Sequence, residues 1–323
     1  MRFGILSTAK IGREDVIPGI KKSEHEVHAI ASRDADRAAS AADDLDIPRS
    51  YGSYESLLAD EELDAVYNPL PNALHAEWTR KAADAGLHVL CEKPLTTDAE
   101  SAAALHDYCA DHDVTLMEAF MYRFHPRTER AAEIVHDEFE GVHAVDASFK
   151  FSLRGRPDDI RLDPELAGGS VMDVGCYAIN AVRLFLGEPN QVYARTRDSR
   201  NSGVDTDMAA ILEYDHATGR VASGFDTPAT QTYRVEAENG WLEVDDAFDV
   251  GTDREATLEY EVSGRRVTER FDPVDQYQLE VEHFAECVGS GRRPRIDREE
   301  TVSNMAVIDA VYESAEAGGN VSP

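Results

Sequence analysis

The sequence predicts two domains: an N-terminal doubly wound α/β domain, and a C-terminal α+β domain with a large open, mainly antiparallel sheet. The chain has 323 residues, enough for about two domains of roughly 150 residues each. As far as Phe120, short apolar runs alternate with helical patterns, which is typical of βαβ units and a parallel sheet. Beyond Phe120, several segments alternate apolar and polar residues, which indicates antiparallel strands with one solvated face.

The N-terminal domain is predicted over residues 1–120. Gly86 follows a helical pattern directly before an apolar run, the position at which glycine commonly ends a helix. The predicted strands are Arg2–Leu6, Val27–Ala31, Ala65–Asn68, Leu87–Cys91 and Val114–Glu118. The predicted helices between them are Ile11–Lys22, Asp36–Leu45, Ala73–Ala85 and Ala99–His112.

The C-terminal domain is predicted over residues 121–323. Its predicted helices are Thr128–His136, Met172–Leu186, Gln276–Val288 and Arg298–Ala317. Its predicted strands are Val142–Phe151, Val192–Arg197, Asp207–Tyr214, Gly219–Phe225, Tyr233–Glu238, Trp241–Val244, Ala256–Val262 and Arg266–Phe271. The last helix, about 298–317, is expected to pack back on the N-terminal domain. The tail Gly318–Pro323 is expected to be flexible.

The charge balance excludes two classes of partner. Asp and Glu number 63 against 32 Lys and Arg, for a net charge of −31. Binding to nucleic acid needs clustered positive charge, and an anionic membrane would repel this surface. Molar salt shortens the screening length to about 3 Å, so the acidity indicates a halophilic host; an acidic mesophilic enzyme is the alternative. Only 6 of the 32 basic residues are lysines, which makes each lysine position informative.

Cysteine spacing and the N-terminus predict an intracellular protein without structural metal. The four cysteines lie far apart and lack the paired spacing of a zinc site, so buried thiols are expected. Phe3–Leu6 is the only apolar run near the N-terminus, too short for a signal peptide or a membrane span. The expected location is cytoplasmic.

The first predicted strand leads into a candidate phosphate-binding turn. Dinucleotide-binding Rossmann domains use Gly-x-Gly-x-x-Gly here, so that backbone N–H groups approach the pyrophosphate. In this chain Ser7 and Ala9 stand where the first two glycines would be, and only Gly12 remains. An ordinary strand-to-helix turn explains the segment about as well. The candidate cofactor-binding residues are Ser7, Thr8, Ala9, Lys10, Ile11 and Gly12.

The end of the second predicted strand favours NADP over NAD. NAD enzymes commonly place an acidic residue there for the ribose 2′-hydroxyl, and NADP enzymes a basic one. This strand ends in Ala31-Ser32-Arg33, with Arg37 one turn further on. A guanidinium can hold a 2′-phosphate through two parallel N–H bonds, and a serine hydroxyl can donate another. An arginine with a purely surface role is the alternative.

Three further segments are candidates for the chemistry. Glu92-Lys93-Pro94 follows a parallel strand and places a scarce lysine at the carboxyl edge of the sheet. Asp173 and Tyr177 lie four residues apart, hence on one face of the predicted helix; a helix-capping role for Asp173 is the alternative. Residues 118–126 are aromatic-rich at the domain junction, where a substrate pocket is expected, although core packing explains Phe120 and Phe124 equally well.

Together these motifs resemble the Gfo/Idh/MocA oxidoreductase family. The resemblance rests on Glu-Lys-Pro with Lys93, on Gly-Gly-Ser followed by Asp173 and Tyr177, and on residues 118–127. Within the family it is strongest to the branch of NADP-dependent D-xylose 1-dehydrogenases and dimeric dihydrodiol dehydrogenases, which also use Ser-Thr-Ala in the phosphate turn. Much of the wider family has histidine where Tyr177 stands, which argues against inositol dehydrogenase-like chemistry.

The resemblance implies roles for further residues. Lys93 and Tyr177 would polarise the reacting hydroxyl and accept its proton while hydride passes to nicotinamide C4, and Asp173 would orient Lys93 or bind a sugar hydroxyl. A free tyrosine has a pKa near 10, and a neighbouring ammonium would lower it. Further cofactor-binding candidates are Asn68, Pro69, Leu70, His75, Glu92 and Lys93. Substrate-binding candidates are Lys93, Arg123, Phe124, His125, Asp173, Tyr177 and Tyr277.

The resulting hypothesis is an NADP-dependent dehydrogenase, with NAD as the other possible cofactor, that oxidises the anomeric hydroxyl of a D-xylose-like aldose to a lactone. The alternatives are a trans-dihydrodiol dehydrogenase or keto-sugar reductase of the same family, or a regulator that binds NAD(P) without catalysis. No nucleic acid or membrane partner is expected. The second face of the antiparallel sheet is expected to pair subunits into a homodimer or homotetramer.

Overall fold

A computed structural model describes all 323 residues and contains two compact units. The first unit comprises Met1–Met121 and Asp275–Thr301, and the second comprises Tyr122–Val274 and Val302–Pro323. The predicted fold class is confirmed, and the first unit also includes residues 275–301 from near the end of the chain. An amphipathic pattern predicts that a helix buries one face, but it does not identify the element against which that face packs.

The first unit is built on a six-stranded sheet in which every neighbouring pair is parallel. Its strands are β1 (Arg2–Ile5), β2 (Glu26–Ala31), β3 (Arg49–Tyr51), β4 (Ala65–Asn68), β5 (His88–Glu92) and β6 (Leu116–Ala119). The strand order is β3-β2-β1-β4-β5-β6. Successive strands are added on one side of β1 as far as β3 and on its other side from β4 onwards. In such sheets, ligands bind beyond the carboxyl ends of the strands at the point where the order switches.

Five helices connect these strands: α1 (Ile17–Lys22), α2 (Ala35–Asp44), α3 (Tyr54–Leu58), α4 (His75–Asp84) and α5 (Ala99–Asp111). Side-chain oxygens of Asp34, Ser53 and Asp98 accept backbone N–H bonds at the starts of α2, α3 and α5, as N-cap residues do. The sequence reading missed β3 and α3. They are three and five residues long, too short to show a periodic pattern.

The helix predicted over Ile11–Lys22 has two parts. Gly12–Val16 forms a π-helical turn, and α1 continues from it. Beneath these helices, apolar side chains from the helices and from the strands pack together in one core. Fully buried members include Leu57, Val66, Ala82, Val89 and Leu105.

The second unit is built on an eight-stranded sheet of order β14-β13-β12-β11-β7-β10-β9-β8. Its strands are β7 (Val142–Ser152), β8 (Gln191–Arg197), β9 (Asp207–Glu213), β10 (Thr218–Gly224), β11 (Asp226–Ala237), β12 (Gly240–Asp245), β13 (Ala256–Val262) and β14 (Arg265–Phe271). Only the β7–β10 pair is parallel; the other neighbours are antiparallel. The mainly antiparallel sheet is therefore as predicted.

One face of this sheet is covered by helix. The helices of this part of the chain are α6 (Pro126–Asp137) and α7 (Cys176–Leu186), and α7 packs against β7 and β10. Along β9, Met208, Ala210 and Leu212 are buried, whereas Ala209 and Ile211 are exposed. The alternation expected of a half-covered strand thus assigns one face to the core and the other to the surface.

Two helices close the chain, α8 (Gln276–Ser290) and α9 (Arg298–Ala317). In the first unit α8 packs on α1, and the rings of Phe3 and Phe284 lie 6.1 Å apart. Of α9, Arg298–Thr301 belongs to that unit and the remainder to the second unit. The tail is anchored, because Val321 forms a β-bridge with Val192.

The four cysteines are buried free thiols, as predicted. None of the helices has both the length and the apolarity that crossing a bilayer requires.

Replacement of Gly19 is expected to destabilise the first unit. A Cβ at Gly19 would lie 2.9 Å from the backbone nitrogen of Gln278 and 3.1 Å from Tyr277, so α8 would have to shift. Overpacking of this kind costs about 1–3 kcal/mol, which outweighs the helix preference of alanine. We expect Gly19→Ala to lower the Tm in molar salt by about 2–8 °C.

Gly289→Ala is the matched control. Gly289 lies in α8 with nothing within 4 Å of a new Cβ, and alanine stabilises a helix by about 0.5–1 kcal/mol relative to glycine. Its Tm should equal or exceed that of the wild type. Equal effects of the two substitutions would contradict the packing explanation.

Candidate active site

The turn after β1 has a backbone that normally requires glycine. Ser7 has φ = 146°, in the region that side chains rarely adopt. Its hydroxyl oxygen accepts the backbone N–H of Ala9 at 2.8 Å, which compensates part of the strain. A Cβ at Gly12 would be in contact with the ring of Tyr67 at 3.5 Å, so the helix start lies close to the sheet. The turn therefore combines a backbone typical of glycine at Ser7 with a close approach of Gly12 to the sheet, although two glycines of the motif are missing.

The other residues of this turn differ in exposure. Thr8 is buried. Lys10 is exposed, and its ammonium lies 3.3 Å from the carboxylate of Glu14. Ile11 directly precedes the π-helical turn. Backbone groups at a helix start, rather than the Lys10 side chain, are thus the groups suited to an anion here.

Two arginines without carboxylate partners follow β2. Asp34 caps α2 by accepting the N–H groups of Asp36 and Arg37 at 3.0 and 3.1 Å, and Ser32 accepts the N–H of Asp34 at 3.2 Å. Neither Arg33 nor Arg37 lies within ion-pair distance of an acidic side chain. Burial raises the pKa of the Tyr54 hydroxyl, and the nearby Arg33 partly offsets this. Two uncompensated guanidinium groups at this strand end fit a phosphate ester.

The loop after β4 is organised by the fully buried Asn68. Its amide donates to the carbonyl of His75 and to the hydroxyl of Thr79, both at 3.3 Å, and its oxygen accepts the N–H of Leu70 at 3.3 Å. Pro69 and Leu70 are buried with it. The side chain of Asn68 thus shapes the loop, and Pro69 lies at contact distance from a Cβ on Gly12.

His75 connects this loop to the turn that carries Lys93. One ring nitrogen lies 2.6 Å from the carbonyl oxygen of Leu70 and the other 2.9 Å from that of Pro94. The ring is fully buried, and burial lowers its pKa to about 4, although the two carbonyls act in the opposite direction. A neutral imidazole has one N–H, so it donates to one of the two carbonyls at a time.

The turn after β5 is held by two acidic side chains. The Tyr67 hydroxyl donates to Oε1 of Glu92 at 2.6 Å, and the backbone N–H of Leu95 donates to Oε1 of Glu118 at 2.8 Å. Lys93 lies between these contacts, half-buried, and its bond to Pro94 is cis. The sequence reading missed the contributions of Tyr67 and Glu118, because no local pattern shows that they reach this turn.

Tyr277 belongs to the first unit, which also contains the cofactor-binding candidates. It is the second residue of α8, and its backbone N–H donates to the helix-capping Asp275 at 3.1 Å. Burial, together with Glu92, raises the pKa of Tyr67 well above its usual value, and Tyr277 is close enough to add to this effect. The Tyr67 hydroxyl is therefore a protonated donor to Glu92.

In the second unit, Asp173 is held by an arginine that the sequence reading missed. Val171–Gly175 forms a π-helical turn that leads into α7. Oδ2 of Asp173 accepts Nε of Arg161 at 2.7 Å, and Arg161 also lies 3.3 Å from Asp159. The carboxylates raise the pKa of this guanidinium, Asp173 most strongly. Arg161 stands in a segment without a periodic pattern, which explains why its role was not found.

Tyr177 lies in the first turn of α7, within an aromatic cluster. Its ring centroid is 5.9 Å from that of Tyr122 and 5.5 Å from those of Phe149 and Phe248. The residue is 4 % exposed. Aromatic packing on three sides fixes the ring plane, and this restricts where its hydroxyl can point.

The remaining candidates of the second unit have structural contacts. Arg123 and Tyr122 both donate to the side-chain oxygen of Asn180, at 3.1 and 2.5 Å. His125 caps α6 by accepting the N–H of Arg127 at 3.0 Å, and burial lowers its pKa to about 4. Phe124 is buried. Of this group, Arg123 alone is partly exposed with a charged end.

The chain belongs to the Gfo/Idh/MocA oxidoreductase family. Residues 1–120 match the family's oxidoreductase domain with an NAD-binding Rossmann fold, and residues 129–243 match its C-terminal domain. The two matches coincide with the parallel sheet and with much of the antiparallel sheet.

Three relatives indicate which members this chain resembles. It is 62% identical, over 99% of both chains, to D-xylose 1-dehydrogenase (NADP(+)) 2 of Haloferax volcanii. The crystal structure of KijD10, a 3-ketoreductase from Actinomadura kijaniata in complex with NADP and TDP-benzene, superposes with a TM-score of 0.92 at 31% identity over 97% of both chains. An aldose-aldose oxidoreductase from Caulobacter crescentus, complexed with glycerol, also gives 0.92, at 27% identity over 100% of this chain and 99% of that one.

Proposed function

We propose that this chain is an NADP-dependent dehydrogenase that oxidises the anomeric hydroxyl of an aldose, D-xylose or a close analogue, to the lactone. The observation that carries the proposal is the identity of 62% along the whole chain to a relative named as a D-xylose 1-dehydrogenase that uses NADP. The excess of acidic residues further supports a host that grows at high salt, because screening removes the self-repulsion of such a surface.

The cofactor-binding residues are assigned from the first unit. The backbone of the Ser7–Gly12 turn receives the pyrophosphate, and Arg33 and Arg37, which have no carboxylate partners, receive the 2′-phosphate. When bound, NADP supplies nicotinamide C4 as the hydride acceptor. The loop Asn68–Leu70 and the turn at Glu92–Lys93 complete the binding surface, and His75 keeps these two segments in register through its two carbonyl contacts.

The catalytic roles are assigned to Lys93, Tyr177 and Asp173. Lys93 polarises the reacting hydroxyl, and the phenol oxygen of Tyr177 takes its proton. A tyrosine can accept a proton near neutral pH only as the phenolate, and a nearby cation stabilises that form. Asp173 orients a sugar hydroxyl, and its ion pair with Arg161 holds the carboxylate in one rotamer.

An aldose panel at molar salt tests the substrate class. Reduction of NADP is followed at 340 nm with pentoses, hexoses and a trans-dihydrodiol. Turnover of D-xylose and its analogues supports the proposal. Turnover of the diol alone, or of a keto-sugar with NADPH alone, would assign the chain to one of the alternative activities. Tight NADP binding without any turnover would identify a regulator.

Arg33→Ala is expected to raise KM for NADP about 10- to 100-fold, because it removes charge-assisted hydrogen bonds worth about 1.5–3 kcal/mol. KM for NAD should change less than twofold. Arg13→Ala is the matched control, since Arg13 forms an exposed ion pair with Asp44. Initial rates measured with both cofactors at one fixed salt concentration give the two KM values. An equal effect on the two cofactors would exclude the 2′-phosphate role.

Lys93→Ala is expected to lower kcat with D-xylose by at least about 100-fold, the usual scale for loss of a group that assists proton transfer. The Kd for NADP, measured by calorimetry, should stay within about threefold. Lys81→Ala, which removes a partly exposed lysine paired with Glu77, should retain wild-type kcat. An unchanged kcat in Lys93→Ala would disprove the catalytic assignment.

We also propose that the exposed face of the large sheet pairs two copies of the chain. Asp146 stands between Arg220 and Arg234 on adjacent strands, and a carboxylate oxygen lies 2.6 Å from the Arg220 guanidinium. This face lines a concavity of about 450 Å³, and it includes Ile211, an unusually exposed large apolar side chain. A patch that combines both charges with an exposed apolar side chain can be self-complementary across a two-fold axis.

Ile211→Glu is expected to convert the oligomer to monomers, because it places an unpaired carboxylate in the contact. Light scattering after size exclusion in molar salt measures the mass. Ile160→Glu is the control, since Ile160 is similarly exposed but lies in a 3-10 turn and does not line this concavity. A wild-type mass equal to one chain would refute the pairing.

A further inference from the structure

A carboxylate from a separate segment holds the start of the helix that carries Asp173 and Tyr177. Oδ2 of Asp205 accepts the hydroxyl of Ser170 at 2.7 Å and the backbone N–H of Val171 at 2.9 Å. The backbone carbonyl of Asp205 accepts the N–H of Ser170 at 2.8 Å. Because the first N–H groups of a helix have no partner within the helix and carry partial positive charge, an anion there is stabilising.

The second oxygen of this carboxylate is held from α9. The hydroxyl of Tyr312 donates to Oδ1 of Asp205 at 2.8 Å. Burial, reinforced by Asp205, raises the pKa of Tyr312 well above its usual value, so the phenol remains a donor. Asp205 is 8 % exposed. Both of its oxygens therefore accept hydrogen bonds. Oδ2 binds the start of the helix, and Oδ1 binds Tyr312 of α9.

The neighbouring glycines allow this carboxylate to approach the backbone more closely than a residue with a side chain would. Gly169 has φ = 118°, and a Cβ there would lie 2.4 Å from Oδ1 of Asp205. A Cβ at Gly168 would lie 2.4 Å from the carbonyl oxygen of Arg161, the residue whose side chain binds Asp173. The Gly-Gly-Ser segment thus permits two close approaches, one by Asp205 and one by the backbone of Arg161.

We propose that Asp205, held by Tyr312, is a positioning residue for Asp173 and Tyr177. The N–H of Asp173 donates to the carbonyl of Gly169 at 3.0 Å, so Asp173 lies in the turn that Asp205 caps, and Tyr177 follows one turn later. Loss of the contact lets this turn shift, and a displacement of about 1 Å can cost about 100-fold in rate. The kinetic part of this inference rests on the proposed dehydrogenase function.

Tyr312→Phe tests the inference with the loss of a single oxygen atom. We expect kcat per folded enzyme to fall about 10- to 100-fold, whereas KM for NADP changes less than twofold, because the cofactor-binding residues belong to the other unit. Tyr260→Phe is the matched control, since its hydroxyl donates to Glu269 at 2.6 Å elsewhere in the same unit. It should retain wild-type kcat. Equal kinetics of the two variants would overturn the proposal.

A double-mutant cycle separates positioning from general stabilisation. In a Tyr177→Phe background, Tyr312→Phe should cause a smaller further loss of kcat than in the wild type, because one of the two groups that it positions is already absent. Losses that multiply fully would show that Tyr312 acts independently of Tyr177, which contradicts the inference.

Hydrogen–deuterium exchange provides a readout that needs no substrate. Amides of residues 170–178 should exchange faster in Tyr312→Phe than in the wild type, and at the wild-type rate in Tyr260→Phe. Unchanged exchange over this segment would refute the role of Asp205 and Tyr312, whatever sugar the enzyme uses. If the wild type oxidises no aldose, the proposed function fails, and exchange alone decides the positioning role.

Discussion

The structure depends on one constraint: backbone polar groups in buried turns must find hydrogen-bond partners. The turn of Lys93 is irregular, and the π-helical turn of Asp173 begins with backbone N–H groups that have no partner within the helix. Buried side chains supply the partners instead. Glu118 and His75 serve the turn of Lys93, and Asp205 serves the turn of Asp173. Each of these groups comes from a distant part of the chain, so the local geometry of the site is a product of the whole unit.

Because the surface is strongly acidic, it is informative which arginines form ion pairs with carboxylates and which do not. Most arginines of the chain are neutralised where they stand; Arg49 pairs with Asp60 and Glu62, for example. Arg33 and Arg37 are among the arginines with no carboxylate within ion-pair distance, and both follow β2 closely. Uncompensated guanidinium groups amid such an excess of acids fit an external anion. The net charge thus suits a solvent of high salt, and the two guanidinium groups after β2 are suited to an anion.

Regular elements were predictable because burial on one or two faces imposes a period on the sequence. That signal found the parallel strands, the long helices and the strands of the large sheet. It missed β3 and α3, which are shorter than a period can reveal, and it did not show the π-helical turns at Gly12–Val16 and Val171–Gly175. The sequence predicts a flexible tail over Gly318–Pro323. Its β-bridge to Val192 is a contact with no sequence signature.

The sequence by itself determined the fold class, the family resemblance and the positions of Lys93, Asp173, Tyr177 and Arg33, because each lies at a strand or helix end that periodicity reveals. Only the tertiary structure decided which residues hold them. The contacts of Arg161 with Asp173, of Tyr67 with Glu92 and of Tyr312 with Asp205 join residues 12, 25 and 107 positions apart. Such pairs leave no periodic trace, since a hydrogen bond depends on distance in space and a sequence records only order along the chain.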